Sequence, residues 1–571
     1  MNPETKTCQN CKTDFIIEPD DFAFYDKIKV PPPTFCPECR MIRRLNWRNE
    51  RSLFKRICDK TGKQLITMFN PESKLVVYDR DIWWNDSWDP IDYGMEYDFS
   101  KSFFQQYKEL LSKVPLANLG NTNVVNSPYG NHNADCKDCY LTYASWKNER
   151  VHYSKGSLNG KDCMDVYTVL DSENSYNDTI CNHLYKTHFS YNTDESINSF
   201  FLDHCVNLQD CIGCINFRNK SNYILNQKYS KKDYKKRLEE LDFGSYKILS
   251  SFEKIFNDFI LKFPRKYANI LKSQDCTGDN IGSSKNVKNS FDVYGNCEDS
   301  KYMAHVIDSK DSYDLYGGGA TASLLYEGID TGLYASNQLF SILTHSCLNT
   351  NYTYMCYNSK NLFGCIGIRK GEYCILNKRY TKEEYEMLVP KIIKQMNAMP
   401  YVDQKGNIYK YGEFFPTDLS PFAYNETIAQ EYFPKKSEEI TNEGFLYRKS
   451  EERNYVASID SKDLPDHIKD VNSSIVNDII SCPNNGNELT QCTQAYKITK
   501  EELQFLKQKN IALPRFCPNC RYHKRLSKRN PLKLWKRNCM KNACQNVFET
   551  SYSPERPEMV YCEKCYQQEV I

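Results

Sequence analysis

One segment near the N-terminus recurs near the C-terminus, 481 residues later, with no gap between its members. The first copy reads Cys36-Pro-Glu-Cys39-Arg40, continues through Arg43, Arg44, Arg48 and Asn49, and reaches Cys58. The second reads Cys517-Pro-Asn-Cys520-Arg521, continues through Lys524, Arg525, Arg529 and Asn530, and reaches Cys539. Two features travel together in both copies: thiols at metal-ligand spacing and a dense run of arginine and lysine. C-x2-C sets two sulfurs on one edge of a tetrahedron, so two such pairs close a structural zinc site with no open position.

Cys8, Cys11, Cys36 and Cys39 form such a set. The Cys36–Cys39 pair leads into a helical pattern, which predicts a treble-clef arrangement of knuckle, hairpin and helix. In the second copy Cys492 precedes Cys517 by the same interval as Cys11 precedes Cys36, but Leu489 stands where the fourth thiol would be. Cys482 is the nearest candidate, which requires a nine-residue loop inside the knuckle. A third set follows: Cys539, Cys544, Cys562 and Cys565, with a hairpin through Val547–Tyr561 joining the pairs. The corresponding N-terminal stretch keeps only Cys58, and Asp81-Ile82-Trp83-Trp84 stands where thiols would be. That site is expected to hold by packing of Trp83, Trp84 and Trp88, so the count is about three zinc ions.

The remaining thirteen of the 26 cysteines lie mid-chain in a different pattern. Phrases such as Lys137-Asp138-Cys139, Lys161-Asp162-Cys163, Glu298-Asp299-Ser300 and Lys310-Asp311-Ser312 recur, mostly eleven to thirteen residues apart within a run. A short period with Asx at a corner and Tyr, Val, Ile or Cys stacked inward is the signature of a β-solenoid. The pattern is duplicated: Gly213-Cys214-Ile-Asn-Phe-Arg218 and Gly364-Cys365-Ile-Gly-Ile-Arg369 lie 151 residues apart, and so do Tyr234 and Tyr385. Cys136 and Cys139, and Cys211 and Cys214, have C-x2-C spacing but fall in the repeat phase. They read as a buried ladder of small side chains rather than as ligands.

The fold class expected is mainly β with α: a duplicated short-period β-solenoid with helical insertions, flanked by treble-clef or zinc-ribbon modules. Its units are 1–95 (zinc module), 118–229 (first solenoid half), 230–271 (helical connector), 272–380 (second half), 381–479 (helix and irregular connector) and 480–571 (double zinc module). Ser230 and Thr381 each read as an N-cap starting a helix. Within 397–480, Phe414-Phe415-Pro416, Pro421-Phe422 and Tyr432-Phe433-Pro434 suggest a segment anchored across other units, with a plain linker as the alternative.

Net charge is only +2, but no Asp or Glu occurs between Leu503 and Phe548, so local charge guides the choice of partner. A helix starting near Cys39 would bring Arg40, Arg44, Arg48, Arg51 and Lys55 close to one face, and Arg521, Arg525, Arg529 and Lys536 repeat this. Arg43, Lys524 and Arg537 extend the set. Arginine in a first helical turn opposes the helix dipole, so local stability does not explain Arg40 or Arg521. One reading is a phosphate-binding face with Trp47 and Tyr522 available for stacking. The other is salt bridging to acidic helices of the solenoid.

The layout resembles a group of uncharacterised zinc-ribbon proteins of candidate-phylum bacteria and some large DNA viruses. The phrases that carry it are Pro-Pro-Thr-Phe-Cys36-Pro-Glu-Cys39-Arg40, the Arg48-Asn49 step, Gly364-Cys365-Ile-Gly-Ile-Arg369 and Cys562-Glu-Lys-Cys565-Tyr566. The resemblance covers essentially the whole chain and implies architecture and zinc but no reaction. Solenoid cysteines are denser in such relatives, and their replacement here by Ser, Asn and Val fits positions that bind no metal.

No Walker loop, H-E-x-x-H or G-x-S-x-G occurs, and the nine histidines show no pairing. No signal peptide or membrane span is evident, and zinc thiolates imply a reducing, intracellular compartment, cytoplasmic or virus-associated. The function expected is a non-catalytic zinc protein that binds nucleic acid, RNA or single strands, through its basic module helices. The alternatives are a structural or assembly protein that binds protein partners through the same faces and the solenoid, and a β-solenoid carbohydrate-active enzyme.

Overall fold

A computed structural model describes residues 2–449 and 455–570; part of the expected connector, residues 450–454, lies outside the described residues, as do the two terminal positions. The chain is mixed α/β, with two large parallel sheets and several two-stranded ones. Among the described residues, no helix is long and apolar enough to cross a membrane.

The first large sheet runs from Tyr140–Tyr143 to Arg218–Ile224 and advances at a constant register: Tyr143 lies beside Lys155, Thr179 beside Tyr191, Phe200 beside Ile212 and Leu208 beside Lys220. Each rung is therefore twelve residues long. The second sheet keeps twelve over Gln338–Thr350 and Leu362–Cys374, and takes an extra residue at Phe291–Ala304 and Ser323–Ser336.

Within a rung the period is shorter still. Asp135, Asp138, Leu141, Ala144, Lys147 and Arg150, every third residue, all sit in the left-handed region with φ near 50°. Asn and Asp tolerate that conformation best, which explains their frequency at these corners. The residue after each corner points inward and is small: Cys136, Cys139, Thr142, Ser145 and Asn148 are all buried.

The interior is hydroxyl- and thiol-rich because three residues per side leave one amide in three without a carbonyl. The residue after the inward one donates eleven residues ahead (Trp146 N to Ser157 O, 2.9 Å), and the corner residue donates thirteen back (Lys147 N to Ala134 O, 2.9 Å). The inward amide donates instead to the side chain one rung below, as from Ser157 N to Ser145 Oγ (3.1 Å) and from Leu184 N to Ser172 Oγ (3.0 Å). A buried amide needs a partner. Ser, Thr, Cys and Asn supply it where Leu or Ile could not. The three-residue period was present in the sequence but masked by the longer, ragged phrase repeat.

Ser230 caps the helix Lys231–Glu240 and Thr381 the helix Lys382–Ala398, each closing one sheet after a short antiparallel return strand. The N-terminal module pairs Val77–Tyr78 parallel to Leu116–Ala117, just ahead of the first large sheet, and the C-terminal module pairs Val560–Tyr561 parallel to Arg265–Lys266, just ahead of the second; each pair is a two-stranded sheet of its own. The irregular 397–449 stretch packs across units. Phe414, Phe415 and Phe422 bury with Trp47, and Tyr424 and Ile428 bury with Met41 and Ile42.

Candidate metal centres

Three groups of four cysteines bring their sulfurs together: Cys8, Cys11, Cys36, Cys39; Cys482, Cys492, Cys517, Cys520; and Cys539, Cys544, Cys562, Cys565. Within each, all sulfurs lie within 4.8 Å of one another. Tetrahedral zinc with Zn–S near 2.3 Å requires S···S edges of about 3.8 Å. The edges Cys11–Cys36 (3.7 Å), Cys482–Cys520 (3.8 Å) and Cys544–Cys562 (4.0 Å) match it. The chain thus carries three four-cysteine centres of the zinc type, with the twelve ligands expected from spacing.

Local folding builds each knuckle. Cys36 is the N-cap of the helix Pro37–Leu45, with Pro37 at the first turn, where its missing N–H costs nothing. Amides and Asn side chains then point at the sulfurs: Cys36 N to Cys8 Sγ (3.2 Å) and Asn10 Nδ2 to Cys39 Sγ (3.4 Å) in the first set. Cys517 N to Cys482 Sγ (3.4 Å) and Asn484 Nδ2 to Cys520 Sγ (3.2 Å) repeat this in the second, and Cys562 N to Cys539 Sγ (3.3 Å) with Asn546 Nδ2 to Cys562 Sγ (3.4 Å) in the third. Such donors stabilise thiolate and orient it toward a metal. At Cys562 burial is outweighed by these bonds and the thiol falls to about 6. The long Cys482–Cys492 knuckle closes through turns at Asn484 and Asn487, with Cys492 N bonded to Asn487 O (3.0 Å).

At the fourth position Asp79 N donates to Cys58 Sγ (3.3 Å), as Cys562 N does to Cys539. Trp83 and Trp88 are buried beneath it, but Trp84 is 39% exposed and only edges against Trp83 and Tyr357. Two tryptophans, not three, are buried in the apolar cluster that contains Cys58.

The arginines require a correction. The helices end at Leu45 and Leu526, so Arg48, Arg51 and Lys55, and their counterparts, do not continue a helical stripe. Arg40, Arg43, Arg44 and Arg48, with Arg521, Arg525 and Arg529, are buried rather than presented to solvent. Arg40 and Arg44 converge on Asp314 (2.9 and 3.0 Å), and Arg43 bridges Glu327 and Glu413 (2.8 and 2.9 Å). Arg521 and Arg525 converge on Asp165 (3.1 and 2.9 Å), Arg521 also reaching Glu502 (2.7 Å). Arg48 pairs with Asp330 (2.6 Å) and Arg529 with Asp292. The two docks repeat in detail, since Arg40 lies over Tyr302 (5.2 Å) and Arg521 over Tyr153 (4.9 Å).

The rest of the expected basic face is dispersed. Arg51 lies 3.4 Å above the buried Tyr522 ring and donates to Asn519. Lys524 is exposed but paired with Glu253 (2.7 Å), and half-buried Arg537 donates to the Ser553 carbonyl (3.2 Å). Lys55 and Lys536 are exposed on hairpin strands. Trp47 and Tyr522 are buried, Trp47 against Phe415 and Tyr522 bonded to Glu431 (2.6 Å), so neither is available for stacking on a base.

Sequence reasoning missed the carboxylates. Asp165, Asp292, Asp314, Glu327 and Asp330 all occupy left-handed corners of rungs. Their only local signal is an acid inside an apolar run, as in Tyr313-Asp314-Leu315 and Tyr326-Glu327-Gly328. Also missed was Lys155, buried between Glu50 (2.7 Å) and Glu431 (2.8 Å). Beside it Tyr432 hydroxyl-bonds Tyr167 (2.9 Å) and Tyr316 (3.2 Å), one from each sheet.

The mid-chain thiols hydrogen-bond to carbonyls of their own and the next rung, as Cys163 does to Lys161 O and Ser172 O (both 3.3 Å). Burial pushes Cys163, Cys205 and Cys347 up to about 12, which keeps them neutral. In these three a neutral, donating thiol is a ladder element; Cys136 and Cys211, each held by the second thiol of its pair, are lowered instead.

The chain matches no protein-family model and no curated protein. Among solved structures it is aligned with a candidate acetyltransferase from Desulfovibrio desulfuricans G20 at 8% identity, over 53% of this chain and 79% of that one, with a TM-score of 0.11. A likeness at that level carries no argument.

Proposed function

We propose that the protein is a non-catalytic, zinc-stapled structural protein of the intracellular, reducing environment that zinc thiolates require. In this reading the two large sheets are halves of one duplicated β-solenoid, and the terminal units are treble-clef modules that clamp them. The observation that carries it is the repeated buried pair, Arg40 and Arg44 on Asp314 and Arg521 and Arg525 on Asp165. Each zinc site rigidifies a helix, and that helix delivers arginines to corner carboxylates of a rung. Buried ion pairs of this kind contribute little net stability over an apolar core, but breaking one leaves an uncompensated charge, so they specify a single docking geometry. The scaffold would present its rungs and end caps to macromolecular partners, as an assembly protein does.

Phosphate binding by the module helices has no support, because their guanidiniums already hold carboxylates. A carbohydrate-active site would need two free carboxylates facing a groove. One surface depression, about 350 Å³, carries Glu372, which is tied to Lys360 (3.0 Å).

The test is limited proteolysis and small-angle scattering of zinc-loaded and chelated protein. Chelation should release both modules, with a larger radius and cleavage within 2–95 and 480–570. Unchanged compactness after complete zinc removal would defeat the reading.

A further inference from the structure

The two sheets end in caps of the same construction: a last rung strand, an antiparallel return, an N-cap hydroxyl and a helix (Lys231–Glu240, Lys382–Ala398). Their charges differ. From Arg218 to Arg237 eight lysines and arginines face one aspartate, whereas the same twenty positions from Arg369 to Leu388 carry five against four acids.

In the second cap three of the five basic residues are used by the fold, and only Lys370 and Arg379 are exposed without an ion pair among the described residues. Arg369 donates to Trp83 O (2.5 Å) and lies over the Trp83 and Trp88 rings, Lys378 pairs with Glu96 (2.5 Å), and Lys382 with Glu386 (3.9 Å). In the first cap Lys220, Lys231, Lys232, Lys235 and Lys236 are exposed, and among the described residues none of them joins a carboxylate; the cap's one ion pair is Arg237–Glu240. Asp233 is occupied by the capping Ser230 (2.6 Å). Lysines at 231, 232 and 235 also crowd the positive end of the helix dipole, so the helix gains nothing from them. A lysine or two on an open sheet edge guards against edge pairing, but the second cap does this with a balanced set.

We infer that the Arg218–Arg237 cap is a binding surface for single-stranded nucleic acid, recognised through its phosphates without regard to sequence. The lysines are mobile point charges suited to a flexible polyanion. Half-buried Tyr223 and Tyr229 lie among them as rings for a base to stack on, Tyr223 already under Lys228 (4.9 Å). An anionic membrane would be met by an amphipathic helix with apolar side chains outward. Here Tyr234 and Leu238 turn inward, and no large hydrophobic side chain between Ile197 and Ile255 is exposed.

The experiment uses the full zinc-loaded chain and a fluorescein-labelled 30-nucleotide oligo(U), read by anisotropy from 50 to 300 mM salt, beside flotation with phosphatidylserine vesicles. Five engaged phosphates give a log–log salt slope of roughly −3.5. The variant K231E/K232E/K235E/K236E should bind at least tenfold more weakly with a flatter slope and unchanged zinc content. The matched second-cap variant K370E/K378E/K382E should bind as the wild type does. No binding of oligo(U) at 50 mM salt, equal losses in the two variants, or preference for vesicles would each overturn the inference. None of these outcomes bears on the scaffold reading, which is decided by chelation alone.

Discussion

The N-terminal module carries one four-cysteine centre and the C-terminal module two, yet both deliver the same arginines to the rungs. In the N-terminal module Cys58 is buried in one apolar cluster with Trp83 and Trp88, and the hairpin Phe54–Ile57 with Gln64–Thr67 pairs strand to strand as Trp535–Asn538 does with Val547–Thr550, across a loop two residues shorter. A structural zinc can be exchanged for apolar packing, because each does no more than hold a hairpin against a helix. The arginine pairs cannot be exchanged one side at a time. Asp314 without Arg40 and Arg44, or Asp165 without Arg521 and Arg525, would be a buried charge with no counter-ion.

The largest asymmetry should appear on removing metal. Cys36→Ser with Cys39→Ser should abolish the single N-terminal centre and leave that module unfolded, since structural zinc contributes on the order of 10 kcal/mol. Cys562→Ser should cost one zinc and leave the Cys482 centre and the arginine dock in place. Metal analysis with proteolysis reads both; equal damage in the two modules would erase the distinction.

Next in size are the docks. Asp314→Ala and Asp165→Ala should each destabilise by about 3–5 kcal/mol in urea unfolding, because two guanidiniums lose a buried partner. Costs differing by more than about twofold would show that the docks are not equivalent. Trp83→Ala should cost a similar ~3–5 kcal/mol, by a cavity rather than by charge; restoring stability by adding zinc would contradict the packing account.

A smaller effect follows pH. His132 sits in the N-terminal dock, bonded to Asn49 O (3.1 Å), and burial, with Arg48 beside it, lowers it from 6.5 to about 4. The folded chain holds it neutral while the unfolded chain takes a proton, so stability should fall as pH drops from about 6.5 to about 4. Burial lowers His188, His305 and His523 as well, so His132→Gln should lessen the fall of the urea midpoint over that window without abolishing it, and an unchanged slope would remove His132 from the cause. Least of all, Lys55→Glu and Lys536→Glu on the exposed hairpins should shift stability by no more than about 0.5 kcal/mol. A loss above about 1 kcal/mol in either would mean those lysines are part of a dock.

Spacing made the metal centres legible down to the irregular Cys482, because a tetrahedral site is closed by pairs of neighbours in sequence and only a few separations reach it. The helices after Ser230 and Thr381 were legible from their caps for the same reason. The rung length was visible as an eleven-to-thirteen-residue phrase, while the three-residue corner period was hidden by corners such as Leu141 and Phe201, which carry no Asx yet hold the same left-handed backbone. What the sequence alone determined, then, is whatever neighbours can decide: thiol pairs, caps, and the repeat that stacks one rung on the next. The fate of the arginines was decided only in three dimensions. Arg40 meets Asp314 across 274 residues and Arg529 meets Asp292 across 237. Charge in a sequence has no direction, and docking chose whether it faced solvent or a buried acid.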